Sequence, residues 1–223
     1  MVFSLGAPWW RPQQEGNMNT SPNTGRLVLA GHPHLRALDH VRRFCGLEWS
    51  GGARETWAFR YYDLVETDPN RMDPVDVLAA AALHPGLSRE DLAWFEDHRG
   101  ALDGWLADVS PTERLGDSNA RVALDQLCAF DGVTLTLLTK VLHRKRPHVV
   151  PLVDRHVVDR YRPITGERKP TEAWPGLLDA MAVDLERNTD ALVEIRTELW
   201  NELGVDVSAL RICDIAIWME ARS

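Results

Sequence analysis

Asp154 closes the apolar run Val149–Val153 and is followed by Arg155, His156, two valines and Asp159. A carboxylate placed there has two uses. It can cap the helix that RHVVDRY begins, because Asp is among the best N-cap residues and such a cap is worth ~1 kcal/mol. It can equally stand at the mouth of a site, stabilising developing positive charge or taking a proton from an attacking water. Gly132 lies 22 positions upstream, in the tight turn FDGV, and an apolar helix and a proline-bearing loop separate the two.

Other residues around this pair carry chemistry of their own. Between Asp131 and Pro170 there are nine Lys and Arg against four acids, a local cationic excess of five inside a chain of net charge −8. Lys140, the run Arg144–Lys145–Arg146 and Arg155 belong to that excess. Such a patch permits an anionic partner; a solvated basic loop is the plainer reading. Tyr61, Tyr62, Trp57 and Trp94 offer aromatic faces on which a base can stack, and they would serve equally well as core. His84 ends a helix and His156 lies inside one, as a cap and a structural hydrogen-bonding group or as pocket residues. His32, His34 and His40 are close in sequence, but no carboxylate or thiolate spacing completes a metal site around them.

The elements that must position these groups read as helical from residue 33 onward. PHLRALDHVRRF carries an apolar stripe at Leu35, Leu38, Val41 and Phe44. Asp73 and Pro74 open a helix that Pro85–Gly86 closes, and Ser88 with Asp91 forms a capping box for the next. Helices are predicted over about 101–108, 117–130 and 133–143, the last with Thr134, Thr136, Lys140 and Arg144 off its apolar stripe. Helices near 173–183 and 183–203 follow, the second closed by Gly204, and SALRICDIAIWME is apolar nearly all round and so belongs inside. GLEWSGGARETWAFRYYDLV, with its Ser-Gly-Gly turn and aromatic alternation, is the place for a short hairpin. Residues 1–27, rich in Pro, Asn, Gly and Gln, read as a flexible arm that Trp9–Trp10 can pin to the body. No repeat is visible.

The stretch CAFDGVTLTLLTKVLHRKRPHVVPLVDRHVVDRY resembles the helix-hairpin-helix DNA glycosylase superfamily, the group containing endonuclease III. The order is a helix ending in Phe130, a Gly-containing turn, an apolar helix, and a loop delivering Val-Asp-x-His-Val. The strong similarity covers about 127–161, and VDVLAAAALH resembles the family helix that ends in a DNA-facing polar residue. The resemblance implies an all-α, two-lobed helical domain over 28–223, the hairpin motif occupying about 120–161 and the last two helices joining the N-terminal part. It implies that Asp154 is the catalytic carboxylate. Gly132, Val133 and Thr134 would be the phosphate-facing turn, with Lys140, Arg144, Lys145, Arg146 and Arg155 along the strand, and Tyr61, Tyr62, His84 and His156 around the pocket. Thr136 stands where bifunctional members carry a Schiff-base lysine, so no lyase step is expected. The family's proline and second glycine of the turn are Asp131 and Thr134 here, and its four-cysteine cluster is missing.

Composition sets the outer limits. With 44% hydrophobic and 26% charged residues the chain can pack a core. Cys45, Cys128 and Cys213 are widely spaced with no C-x-x-C, which excludes a four-thiolate site within this chain and suits a reducing compartment. MVFSLGAPWWRP lacks the marks of a secretory signal, and no apolar run approaches a membrane span, so a cytoplasmic protein without cofactor or metal is expected. Three functions follow as expectations. The first is a monofunctional DNA N-glycosylase engaging duplex DNA through the local patch. The second is the same fold kept as a binder of a small molecule or a protein, which the overall acidity suits. The third is an enzyme acting on a nucleoside-like small molecule.

Overall fold

The computed structural model describes residues 25–47, 58–84 and 86–222. Most of the expected arm, Trp9–Trp10, Trp57 and the Ser50–Gly52 turn lie outside the described residues. The protein is all-α with one short β-hairpin. That hairpin joins β1 (Leu27–Leu29) to β2 (His32–His34), with Leu27 opposite His34 and Leu29 opposite His32. Ala30 and Gly31, at φ +52° and +77°, make the turn, since two positive φ values match the twist of paired strands. Leu27 and Leu29 are wholly buried, so the body begins before residue 28. Asn188 pairs with both the N–H and the carbonyl of Val28 at 2.8 Å, covering the open strand edge. Residues 48–57 of the aromatic segment that suggested a hairpin lie outside the described residues. Phe59–Asp63 is instead a turn of π-helix.

The helices follow in order: α1 (Ala37–Phe44), α2 (Pro74–Ala80), α3 (Arg89–Asp97), α4 (Arg99–Asp108) and α5 (Ser118–Gln126). Next are α6 (Leu135–His143), α7 (Arg155–Thr165), α8 (Pro170–Arg187), α9 (Thr189–Leu203) and α10 (Ala209–Glu220). Local chemistry sets many of the ends. Asp73 and Ser88 each close a capping box, accepting from a backbone N–H while Asp76 and Asp91 reach back. Gly204 at φ +66° terminates α9 as a residue without Cβ can. The break between the two long helices falls at Asn188, five residues beyond its predicted place. There the Asn188 side chain accepts and donates to β1, and tertiary pairing decides the boundary.

One contiguous apolar cluster runs from Leu27 to Met219. Helix α1 packs on α10, and α7 lies between α8 and α10. Helix α6 is enclosed: of its nine residues all but Thr136 are buried, including Lys140 and His143. It was read as an amphipathic helix with a polar face; in the folded chain Lys140 and Arg144 of that face are covered too, while Thr134 is exposed and Thr136 half-buried. No helix among the described residues is long and apolar enough to cross a membrane.

Candidate functional site

The hairpin turn is built on Gly132. Its φ is +84°, and a Cβ there would sit 3.0 Å from Trp94 Cδ1, so both the conformation and the close approach demand glycine. Trp94 donates from Nε1 to the Asp131 carbonyl at 2.7 Å. Its ring stacks on His98, centroids 4.1 Å apart, and meets Phe130 edge-on. Trp94 is thus the buttress of the turn, buried and not a platform for a base. Thr134 caps α6 by accepting from Leu137 N–H at 3.2 Å. Gly132 and Thr134 are exposed and Val133 is half-buried.

Asp154 caps α7: one carboxylate oxygen, Oδ1, accepts from His156 N–H at 2.8 Å and Val157 N–H at 3.1 Å. The side chain stays half-exposed. The segment before it runs back beside α6. The His143 ring donates from Nδ1 to the Val150 carbonyl at 2.6 Å, and Val153 N–H reaches Thr139 Oγ1. Asp154 therefore arrives beside the middle of α6, only roughly 6 Å of helical rise from the end that carries the Gly132 turn.

The group beside it is Lys140. Its ammonium donates to the Leu83 carbonyl at 2.8 Å, next to His84, and burial lowers its pKa while Asp154 and Asp214 work in the opposite direction. His84 is likewise lowered, by burial and then by the Lys140 charge. Asp214 completes the group from α10. Burial pushes its carboxyl up to about 7, with the Asp154 charge adding and the Arg211 and Lys140 cations opposing. Arg211 in turn forks onto Asp63 with two bonds of 2.8 Å and also pairs with Asp214. Two consecutive helices and the distant α10 so bring a half-exposed carboxylate, a buried ammonium and a buried carboxyl into electrostatic reach of one another. Asp214 escaped the sequence reading; its one signal was an acid inside an otherwise apolar helix.

Three more of the cations expected along a strand, Arg144, Lys145 and Arg146, are turned inward. Lys145 places its ammonium 2.5 Å from Asp76 with neither side chain exposed, and donates also to Thr67 Oγ1 and the Asp68 carbonyl. Arg144 donates to the Tyr62 and Val65 carbonyls and pairs with Asp76. Arg146 is 1% exposed and satisfied by the Val109, Pro69 and Leu106 carbonyls. Because α6 is enclosed, the cations that follow it land inside, where they fasten the segment around residues 62–69 and the end of α4. Tyr62 is buried as well, giving its hydroxyl to the Lys140 carbonyl at 2.6 Å. Tyr61 is 53% exposed. Arg155 is exposed beside Asp154, and His156 is half-buried on α7.

Two cavities lie apart from Asp154, which lines neither. One of about 330 Å³ is bounded by Tyr62, Asp63, His143 and Arg211. The other, of about 580 Å³, lies against α8 and α9. His32 and His34 sit in β2, and no group of three or more potential ligands able to hold a metal occurs among the described residues. The family model described as "Family of unknown function (DUF6308)" matches residues 37–221. No curated protein and no solved structure matches the chain.

Proposed function

For a chain that belongs to the DUF6308 family, a family of unknown function, we propose hydrolysis of an N-glycosidic bond at Asp154, on a substrate of nucleoside size and not on an extended duplex. What supports it is the Asp154 carboxylate fixed by two backbone N–H groups at the half-exposed start of α7, with the buried Lys140 and Asp214 within electrostatic reach. As the bond from C1′ to the base nitrogen breaks, positive charge grows on the sugar and the Asp154 carboxylate stabilises it. Water forms the new C1′–O bond as the C1′–N bond breaks, its proton passes to Asp154, and Asp154 then gives that proton up, by way of solvent, to the departing base nitrogen, which restores the carboxylate. Two backbone N–H groups hold Asp154 in place, so little reorganisation is needed. Lys140 and Asp214 do not touch the substrate; they set the field at the carboxylate.

The preference for a small substrate rests on charge. Of the nine cations between Asp131 and Pro170, Lys140, Arg144, Lys145 and Arg146 are internal, which reduces the surface excess from five to one. A duplex clamp needs several phosphate contacts. A second reading, the monofunctional DNA N-glycosylase, is favoured by the exposed Gly132–Thr134 turn at a helix N-terminus. One assay separates them. Nucleosides, base-damaged single strands and the same strands in duplex are incubated with the protein, and free base is quantified by chromatography. Release from free nucleosides supports the proposal; release confined to the nucleic-acid strands supports the second reading, and no release from any substrate refutes both.

A further inference from the structure

Strand β2 ends inside the molecule. His34 is 3% exposed, although His32, two residues earlier on the strand, lies in water. Neither ring nitrogen of His34 has a hydrogen-bond partner among the described residues, and the same is true of Nδ1 of His40 on α1. Glu220 Oε2, from the last residue of α10, stands 2.9 Å from His34 Nδ1 but off the line that a hydrogen bond requires. That oxygen also accepts from Arg160 Nη2 of α7, so the carboxylate is already paired. A buried polar ring without partners is uncommon, and it rests in such a site only while uncharged.

The other charges around the hairpin offer no free anion to a protonated His34. Arg160, His40 and His32 all oppose a proton on the ring. Arg36 and Asp39 flank His40 and pair with each other. From α8, Asp184 accepts from the Ala30 N–H at 2.6 Å and from the Tyr161 hydroxyl, and it pairs with Arg187. Burial outweighs the attraction of Glu220 and lowers the His34 pKa to about 4.

We propose that the β1–β2 hairpin is an acid-released clasp: in a mildly acidic medium His34 takes up a proton in water and not in its site, so the hairpin leaves α8 and α10 while the helices stay folded. Release uncovers Leu27 and Leu29, both wholly buried in the closed form. Its direction follows from proton binding. A hydrated imidazole titrates near 6.5 and the clasped ring near 4, so the contribution to closure is complete above pH 6.5 and is lost as pH falls toward 4. Between pH 7 and pH 5 the opening constant should rise about twentyfold. The clasp does not depend on the reaction assigned to Asp154.

Hydrogen exchange of the full chain at pH 7 and pH 5, corrected for the intrinsic exchange rate and read by mass spectrometry, tests this. The Val28 and Ala30 amides, bound to Asn188 and Asp184, should open about twentyfold more often at pH 5, with α6 far less affected. His34→Gln should flatten the hairpin response to within about twofold. Glu220→Gln should keep it, because the ring and not the carboxylate takes up the proton. In the wild-type chain the His34 ring, followed by its Cε1–H resonance, should stay neutral at pH 5 in the clasped form. Hairpin exchange unchanged by pH overturns the proposal, as does an equal rise throughout α6. So does a response that survives His34→Gln or vanishes in Glu220→Gln, or a His34 ring that titrates near 6.5 with the hairpin still protected.

Discussion

Replacing Lys145 by Met distinguishes an internal basic run from a surface one. The Lys145 ammonium sits 2.5 Å from Asp76, both side chains are 0% exposed, and Thr67 and the Asp68 carbonyl take its other protons. Removing one partner of such a pair leaves a buried charge uncompensated, at a cost of about 3–5 kcal/mol. Arg144 also pairs with Asp76, at 3.3 Å, and keeps part of the compensation, which puts the expectation at the lower end, about 3 kcal/mol. In a chain of this size each kcal/mol moves the thermal midpoint by about 2–4 °C, so a fall of about 6–12 °C is expected. Urea denaturation at pH 7 measures the same loss. Adding Asp76→Leu should deepen the loss, because Asp76 also pairs with the buried Arg144 and closes the capping box of α2. A lysine lying along a nucleic acid would behave otherwise, its loss costing within about 0.5 kcal/mol as surface substitutions do. A midpoint unmoved by Lys145→Met refutes the internal assignment and restores the basic strand contact.

Asp154→Ala should cost about 1 kcal/mol by removing the cap, whereas Asp154→Asn should cost only a few tenths, Asn being an equal cap; chemical denaturation compares the two. Gly132→Ala should lose about 1–2 kcal/mol from the left-handed backbone alone, with further loss from the push on Trp94, readable as a shift in tryptophan emission. Asp214, held up to about 7 by burial, retains in the folded state a proton that the unfolded chain releases near pH 4. Its contribution is therefore complete below pH 4 and fades as pH rises through 7. The cost of Asp214→Asn should be larger at pH 5 than at pH 8, measured by urea midpoints at both. Any residual affinity for duplex DNA through this stretch should show a log–log salt slope no steeper than about −4, from its four exposed cations Arg155, Arg162, Arg168 and Lys169 and about −0.9 per phosphate.

How much of this was legible in the sequence follows the range of the forces concerned. The caps at Asp73, Ser88 and Asp154 and the stop at Gly204 are decided within four residues, and each is where its residue type suggested. Gly132 was read as the turn residue, but the Trp94 ring that makes glycine obligatory comes from 38 positions earlier. The fate of Arg144–Lys145–Arg146 was illegible, because whether a basic run meets water or carbonyl oxygens depends on what surrounds α6. The helix carrying Asp214 was placed inside correctly, but the neighbours that act on its carboxyl, Arg211, Asp154 and Lys140, could not be read from its own sequence. The hairpin at Leu27–His34 was missed because Ala30 is an unusual residue for a turn with two positive φ values.

The measurement that bears most directly on the site is single-turnover base release by the wild-type chain and by Asp154→Asn on whichever substrate the panel identifies. The account expects kcat/KM to fall at least a hundredfold with the thermal midpoint within about 2 °C of wild type, since the cap survives and only the charge is lost. Equal release by the two proteins at equal stability would show that the carboxylate does nothing beyond holding the helix.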